Sequence, residues 1–205
     1  MAKLNMGILG GFTGKVGTVV GYIRKGQPVI RALPQKSQIE PSAEQKNARL
    51  RFAALRKIIP AFIPAFRIGF RAQLDEKMVH CVAFSELWKL SVVGDAPMCN
   101  IDFSKIIVSK GRRPDLAVAS IVRTDDETIV ATWAPKGNIP PADGSDEVYL
   151  AVYSSTENYI RVSAPTTRAE GKLTMTVPQG ELHCYIFTAA TTEKETSVSQ
   201  YFNVK

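Results

Sequence analysis

Apolar residues recur at every second position in much of the chain from about residue 100 onward, in short runs separated by glycine, proline, aspartate and asparagine. Alternate residues of a strand point to opposite faces, so many such runs in succession predict an antiparallel β-sandwich. The first run, 103–109, is predicted to be a strand that ends at a turn over 110–114. Seven further strands are predicted at 117–122, 128–133, 147–153, 159–162, 172–177, 183–189 and 197–202.

A glycine-studded segment, residues 7–34, predicts a β-hairpin or a pair of strands with a turn at 25–28. Because glycine permits positive φ and close backbone approach, we interpret the segment either as a twisted edge hairpin or as an extended arm that docks onto a neighbouring surface. Strand alternation predicts one face with Val16, Thr18, Val20 and Tyr22, and another with Val19, Gly21 and Ile23.

A helix is predicted to begin after Ser42, because Ser42 and Gln45 have the spacing of a capping box. Pro60 and Pro64 each remove a backbone hydrogen bond, so a kink or break is expected near Ile59. Periodicity does not decide whether residues 79–91 form a short helix or a strand. The apolar stripe of the first helix consists of Ala48, Phe52, Leu55, Ile59, Phe62 and Phe66.

These patterns predict an α+β protein in two parts, and 205 residues suffice for two small domains. Residues 1–99 are expected to form a basic N-terminal hairpin and a helical region, and residues 100–205 the β-sandwich. We expect the sandwich to fold without the first part, since its strands supply two apolar faces of their own. Trp133 and Tyr185 are expected in its core.

Basic residues are concentrated in the first third of the chain. Residues 1–73 contain 13 Lys and Arg against 2 acidic residues, whereas residues 74–205 contain 13 against 17. This division predicts a basic surface with a docking function. In the arm, the candidate docking residues are Gly14, Lys15, Gly17, Gly21, Tyr22, Arg24, Lys25 and Arg31. On the helix, the candidate basic face consists of Lys46, Arg49, Arg56 and Lys57.

Three interpretations of this basic surface stay open. It can bind nucleic-acid phosphates, largely without sequence preference, with Tyr22 available for stacking. It can contact an acidic protein, including the acidic sandwich of an adjacent copy, in a head-to-tail assembly. It can also be a solvated face without a partner.

No catalytic, cofactor or metal motif is recognised, so we expect neither an enzyme nor a small-molecule substrate. Around Lys15, a phosphate-binding loop would require glycine at Leu9 and a hydroxyl residue at Val16. His80 and His183 each precede a cysteine, but neighbours on a strand point to opposite faces. The three cysteines, Cys81, Cys99 and Cys184, are expected to be buried reduced thiols.

The N-terminus lacks the hydrophobic region and cleavage site of a signal peptide, and no apolar run reaches membrane-spanning length. We therefore expect no membrane association. The expected location is the cytoplasm, or a particle assembled there.

Two resemblances add to this interpretation. Residues 128–133, TIVATW, and 182–189, LHCYIFTA, resemble the core strands of a fibronectin type III or immunoglobulin-like sandwich. This resemblance implies an interaction or spacer module without particular chemistry. The segments GILGGFTGKVGTVVGY and DFSKIIVSKG resemble a family of Bacteroidota proteins of unknown function, which implies length and layout but no activity.

The function expected from the sequence is that of a non-enzymatic structural protein, a subunit of a multi-copy complex or phage-like particle that docks through its basic N-terminal arm. The alternative is a nucleic-acid-associated protein that uses the basic N-terminal third.

Overall fold

The computed structural model describes residues 3–4, 10–35, 39–74, 78–94, 98–125, 127–134, 145–191 and 193–204. The chain divides into two compact units, Met1–Ser42 and Ala43–Lys205.

The first unit is an antiparallel sheet in the order β1-β2-β3-β4, with strands at Lys3–Leu4, Phe12–Val16, Val19–Arg24 and Gln27–Ala32. The turns from β2 to β3 and from β3 to β4 are two-residue loops, because Val16 pairs with Val19 and Arg24 pairs with Gln27. Positive φ values at Gly17, Lys25 and Gly26 produce these reversals.

The predicted hairpin is therefore part of a larger sheet, and one detail of the predicted faces is wrong. The turn after Val16 reverses the chain, so Val16 lies on the same face as Val19 rather than with Val20 and Tyr22. The turn predicted at 25–28 is confirmed at Lys25 and Gly26, whereas Gln27 and Pro28 belong to β4.

The second unit begins with helix α1, Ala43–Gly69, which starts directly after Ser42 as predicted. The helix is continuous through Pro60 and Pro64, so the predicted break near Ile59 is wrong. Burial of the face around the prolines offsets the lost hydrogen bonds, since each fully buried phenylalanine contributes about 1.5 to 3 kcal/mol. The buried residues of α1 are Leu55, Ile58, Ile59, Ala61, Phe62, Ala65, Phe66 and Gly69.

The end of α1 is attached to the sheets through Gly69. Its carbonyl accepts hydrogen bonds from Ser109 Oγ at 3.1 Å and from Thr196 Oγ1 at 3.0 Å. A Cβ at Gly69 would lie 2.8 Å from the Ser109 side chain, so only glycine allows this approach.

A short 3₁₀ turn at Arg71–Gln73 follows, and then helix α2, Val79–Leu90, which decides the open question over residues 79–91 in favour of a helix. The small strands β5, Val92–Val93, and β6, Asn100–Ile101, pair with each other.

The sandwich comprises seven predicted strands, all of which are confirmed, together with the short β11. One sheet has the order β12-β8-β7, and the other has the order β10-β9-β13-β14 with β11 beside β9. The strands are β7 Val118–Asp125, β8 Thr128–Trp133, β9 Glu147–Ser154, β10 Tyr159–Val162, β11 Thr166–Thr167, β12 Lys172–Thr176, β13 Leu182–Ala189 and β14 Gln200–Val204.

The strand predicted at 103–109 is wrong. Residues Phe103–Lys105 form a 3₁₀ turn, because the Asp102 carboxylate accepts the Ser104 backbone N–H at 3.0 Å. The following residues bond to side chains and to isolated backbone groups instead of a strand ladder; Val108 N–H, for example, donates to Ser199 Oγ.

Strand β13 shows how the second unit is layered, because all eight of its residues are buried. Leu182, Cys184 and Ile186 join the core between the two sheets, which includes Trp133. Tyr185 and Phe187 belong to a second core, shared with α1 and α2. The unit therefore has three layers: helices, the larger sheet and the smaller sheet.

The α+β class and the antiparallel sandwich are confirmed by this architecture, and Trp133 and Tyr185 are buried as predicted. The boundary expected between residues 99 and 100 lies inside the second unit. The physical reason is the second core, which joins the helices to one face of the sheet.

Candidate functional site

The sheet of the first unit has one basic face. Paired residues of an antiparallel sheet point to the same side, and Lys15, Val20 and Arg31 are paired across three strands. Tyr22 and Arg24 share this side by strand alternation. The guanidinium carbon of Arg31 lies 5.5 Å from the Tyr22 ring centroid, a cation–π distance. The structure thus places Lys15, Tyr22, Arg24 and Arg31 together, with Lys25 in the adjacent turn.

The opposite side, here called the apolar face, carries no charged residue in β2, β3 or β4. It consists of Phe12, Gly14, Val16, Val19, Gly21, Ile23, Pro28, Ile30 and Ala32. Val16, Ile23 and Ile30 are 50%, 53% and 61% exposed. Among all residues of β2, β3 and β4, Gly21 alone is buried. These three strands therefore contribute no side chain to a hydrophobic core.

The conformation of the sheet itself explains why glycine stands at the three candidate docking positions. Gly14 and Gly17 have φ values of 114° and 55°, and Gly17 forms a turn. A Cβ at Gly21 would lie 2.7 Å from the Phe12 ring. The sequence predicted that a partner would approach the backbone of these glycines. At Gly21, Phe12 of the same sheet already lies against the backbone.

The candidate basic residues of α1 separate into two groups. Lys46, Arg49, Arg56 and Lys57 are all exposed. Arg49 and Arg56 border a groove beside α2, whereas the cavities of that groove are not lined by Lys46 or Lys57. At 100° per residue, the two lysines lie further around the helix.

The groove between α1 and α2 contains two adjoining cavities of about 370 Å³ and 430 Å³, both lined by Phe52 and Phe84. Phe52 and Phe84 contact each other with ring centroids 4.9 Å apart, and Phe84 contacts Trp88 at 5.3 Å. The remaining lining residues are Ala48, Arg49, Arg56, Ile59, Pro60, His80 and Trp88.

Sequence reasoning did not find this groove. Phe52 belongs to the predicted apolar stripe, yet it is 47% exposed, because the core ends one turn further along α1. Its partners Phe84 and Trp88 are in a segment that the sequence left open between helix and strand. Their spacing of four residues, once assigned to a helix, is the signal for a shared face.

The two histidines have different environments. His80 lines the groove. His183 is buried and stacks on Phe103 at 4.1 Å, while its Nδ1 is 2.9 Å from the Tyr201 hydroxyl. Burial lowers the pKa of His183, although Glu181 acts in the opposite direction.

All three cysteines are free, but only Cys184 is buried. Burial raises its pKa to about 12. The expectation of burial is wrong for Cys81, which is exposed, and for Cys99, which is partly exposed. Cys81 lies on the surface of α2, whereas Cys99 lies in a loop and packs against the edge of the core that the helices share with the larger sheet.

A buried group of charges lies at one end of the sandwich. Asp146 forms ion pairs with Arg168 at 3.8 Å and with Arg113 at 3.7 Å. The Arg168 guanidinium also donates to the carbonyl of Asp115 at 2.8 Å. Because these contacts join separate loops of the sandwich, their role is structural.

Within the described ranges, no three His, Cys, Asp or Glu side chains are grouped as metal ligands would be. Neither described helix is long and apolar enough to cross a membrane.

Comparison with known proteins identifies the family. The sequence profile of a family of unknown function, DUF6266, matches residues 11–200. The chain belongs to this family. No curated protein matches it in sequence. The solution structure of the fn3 domain of the human collagen alpha-1(XX) chain is similar, with 12% identity over 46% of this chain and 85% of that domain, at a TM-score of 0.35.

Proposed function

We propose that this DUF6266 protein is a non-enzymatic structural subunit of a multi-copy assembly and that it docks through its N-terminal arm, residues 1–42. The observation that carries the proposal is the exposed apolar face of the arm sheet. A sheet reaches stability by packing one face against another layer. Val16, Ile23 and Ile30 remain at least half exposed in the single chain, so a neighbouring molecule is the natural source of that layer.

The basic face supports the same role. Lys15, Arg24 and Arg31 give the docked arm a second side that favours acidic protein surfaces, and residues 74–205 of the chain carry a net excess of acidic residues. Contact between the arm of one copy and another part of the next copy is head-to-tail, and such contacts produce rings or filaments. The proposal includes that the assembly is a particle formed in the cytoplasm. It also includes that the protein comes from a member of the Bacteroidota.

Light scattering on the full chain and on a chain without residues 1–42 tests it. We expect the full chain to be oligomeric and the shortened chain to be monomeric, with an unchanged melting temperature for the second unit. Equal monomeric masses for both chains would refute the docking function.

A pair of matched variants identifies the face in use. Ile23→Glu with Ile30→Glu adds two charges to the apolar face, whereas Lys15→Glu with Arg31→Glu changes the basic face. We expect the apolar-face variant to lower the oligomer mass at all salt concentrations. The basic-face variant should weaken assembly mainly at low salt, where charge attraction is least screened.

A second candidate function is nonspecific nucleic-acid binding, favoured by the presence of Tyr22 among Lys15, Arg24 and Arg31 on one face. Its test is the salt dependence of binding to single-stranded DNA and RNA between about 50 and 200 mM salt, where phosphate neutralisation gives a steep decrease in affinity. Absence of binding at the lower salt concentration would eliminate this candidate.

A further inference from the structure

The groove between α1 and α2 combines partly exposed aromatic rings with positive charge. Phe52 and Phe84 line both of its cavities, and Trp88 lines the larger one. Aromatic and arginine side chains around a concavity are the residues that most often dominate the energy of protein association. The groove is therefore suited to receive an apolar side chain against its rings.

The charge at its border is of one sign. Arg49 borders one cavity and Arg56 the other, and among the residues that the structure describes, none of those lining either cavity is acidic. Neither arginine forms an ion pair or a hydrogen bond with any residue that the structure describes. Two exposed guanidinium groups beside an apolar cavity complement a segment that carries both apolar side chains and carboxylates.

The spacing of the arginines specifies the geometry of that segment. Arg49 and Arg56 are seven residues apart on α1, which is about 10.5 Å along the helix axis at 1.5 Å per residue. An opposing helix that carries acidic residues at positions i and i+7 matches this distance. Apolar residues at i+3 and i+4 then lie over Phe52 and Phe84.

The arrangement of the rings favours protein over nucleic acid. Bases stack on free aromatic faces. Here Phe84 contacts both Phe52 and Trp88, with centroid distances of 4.9 and 5.3 Å. The Arg51 guanidinium lies over the Trp88 ring at 5.6 Å. The rings therefore offer a cavity for an aliphatic side chain and few open faces for bases.

We propose that this groove binds an acidic amphipathic helix of a partner protein, with its apolar residues on Phe52 and Phe84 and its carboxylates on Arg49 and Arg56. The groove lies within residues 43–205 and the docking arm within residues 1–42, so this proposal does not depend on assembly through the arm.

The probe is a fluorescently labelled synthetic helical peptide of about 15 residues, with Glu two turns apart and Leu on the same face between them. Anisotropy is measured against the full-length protein at physiological salt. We expect saturable binding, accompanied by a change in tryptophan fluorescence, because Trp88 lines the groove. A peptide of the same composition, with Glu and Leu on opposite faces, should bind at least about ten-fold more weakly, because it cannot use both contacts at once.

Matched protein variants locate the site. Arg49→Glu with Arg56→Glu should weaken binding about ten-fold or more, since two attractive contacts become repulsive. Lys46→Glu with Lys57→Glu makes the same change of charge on the same helix away from the groove, and should change affinity less than about three-fold. Phe52→Ala should also weaken binding, and circular dichroism melting checks that each variant remains folded.

Three outcomes would overturn the proposal. The first two are equal affinity for both peptides and equal losses of affinity in the arginine and lysine variants. The third is that a single-stranded oligonucleotide displaces the peptide and binds the arginine variant more weakly. The last outcome would assign the groove to nucleic acid. The arm truncation leaves the groove residues in place, so each proposal can fail without the other.

Discussion

Replacing Phe62 with alanine tests whether the helices and the sandwich of the second unit unfold together. Phe62 is fully buried in α1, and its ring lies 4.8 Å from Tyr153 and 5.8 Å from Tyr185, which belong to the larger sheet. Removing a buried phenylalanine ring costs about 3 to 5 kcal/mol. The aromatic contacts across the layers favour the middle of this range, about 4 kcal/mol.

The assay is urea unfolding followed by the fluorescence of Trp133, which lies in the other core, between the two sheets. The protein has two tryptophans, so Trp88→Phe leaves Trp133 as the only one. If the layers unfold as one unit, Phe62→Ala lowers the midpoint seen by Trp133 by about 2 M, taking a slope of about 2 kcal/mol per M.

Phe52→Ala is the matched control, because Phe52 is on the same helix but about half exposed, and its loss should cost less than about 1 kcal/mol. The reasoning is refuted if Phe62→Ala leaves the Trp133 midpoint unchanged while helical circular dichroism is lost at lower urea. Residues 100–205 would then fold independently, as the sequence suggested. The core shared by the helices and the larger sheet predicts the opposite, that this fragment alone does not fold stably.

Three further predictions concern stability. Because burial lowers the pKa of His183, the unfolded state binds protons more readily, so stability should decrease as pH falls below about 6.5; His183→Gln should flatten urea midpoints measured between pH 7.5 and 5.5. Asp146→Ala removes the carboxylate that Arg168 and Arg113 share and should cost about 3 kcal/mol by urea unfolding, whereas a cost under about 1 kcal/mol would show that the carbonyl contacts of Arg168 suffice. Gly21→Ala places a methyl group against the Phe12 ring, so it should increase proteolysis of the arm without changing the Trp133 transition; unchanged proteolysis would contradict that close approach.

Secondary structure that depends on local chemistry was predictable. The start of α1 after Ser42 follows from capping chemistry, and the seven sandwich strands follow from period-two alternation between turn residues. Local rules failed where distant atoms decide. Packing of Phe62 and Phe66 against the sheet, for example, keeps α1 helical through its prolines. The strand predicted at 103–109 failed for a different reason: a local hydrogen bond from the Ser104 backbone N–H to the Asp102 carboxylate makes a 3₁₀ turn, and the apolar pattern carries no information on that bond.

The candidate site follows the same division. The basic residues of the arm and of α1 could be identified from the sequence, because charge depends only on residue type. The sequence did not predict on which face of each element these residues lie. The turn at Gly17 sets the strand register that places Lys15 on the basic face and Val16 on the apolar face of the arm. The groove requires Phe84 and Trp88 of α2 to lie beside Phe52 of α1.

By itself, the sequence determined the class of fold, the order of most elements and the concentration of positive charge in the first third. These properties arise from neighbouring residues, whose spacing sets which side chains share a face. The tertiary structure alone decided that helices cover one side of the larger sheet and that Arg49 and Arg56 border an aromatic groove. Both depend on contacts between residues far apart in the chain, where burial and packing outweigh local preference.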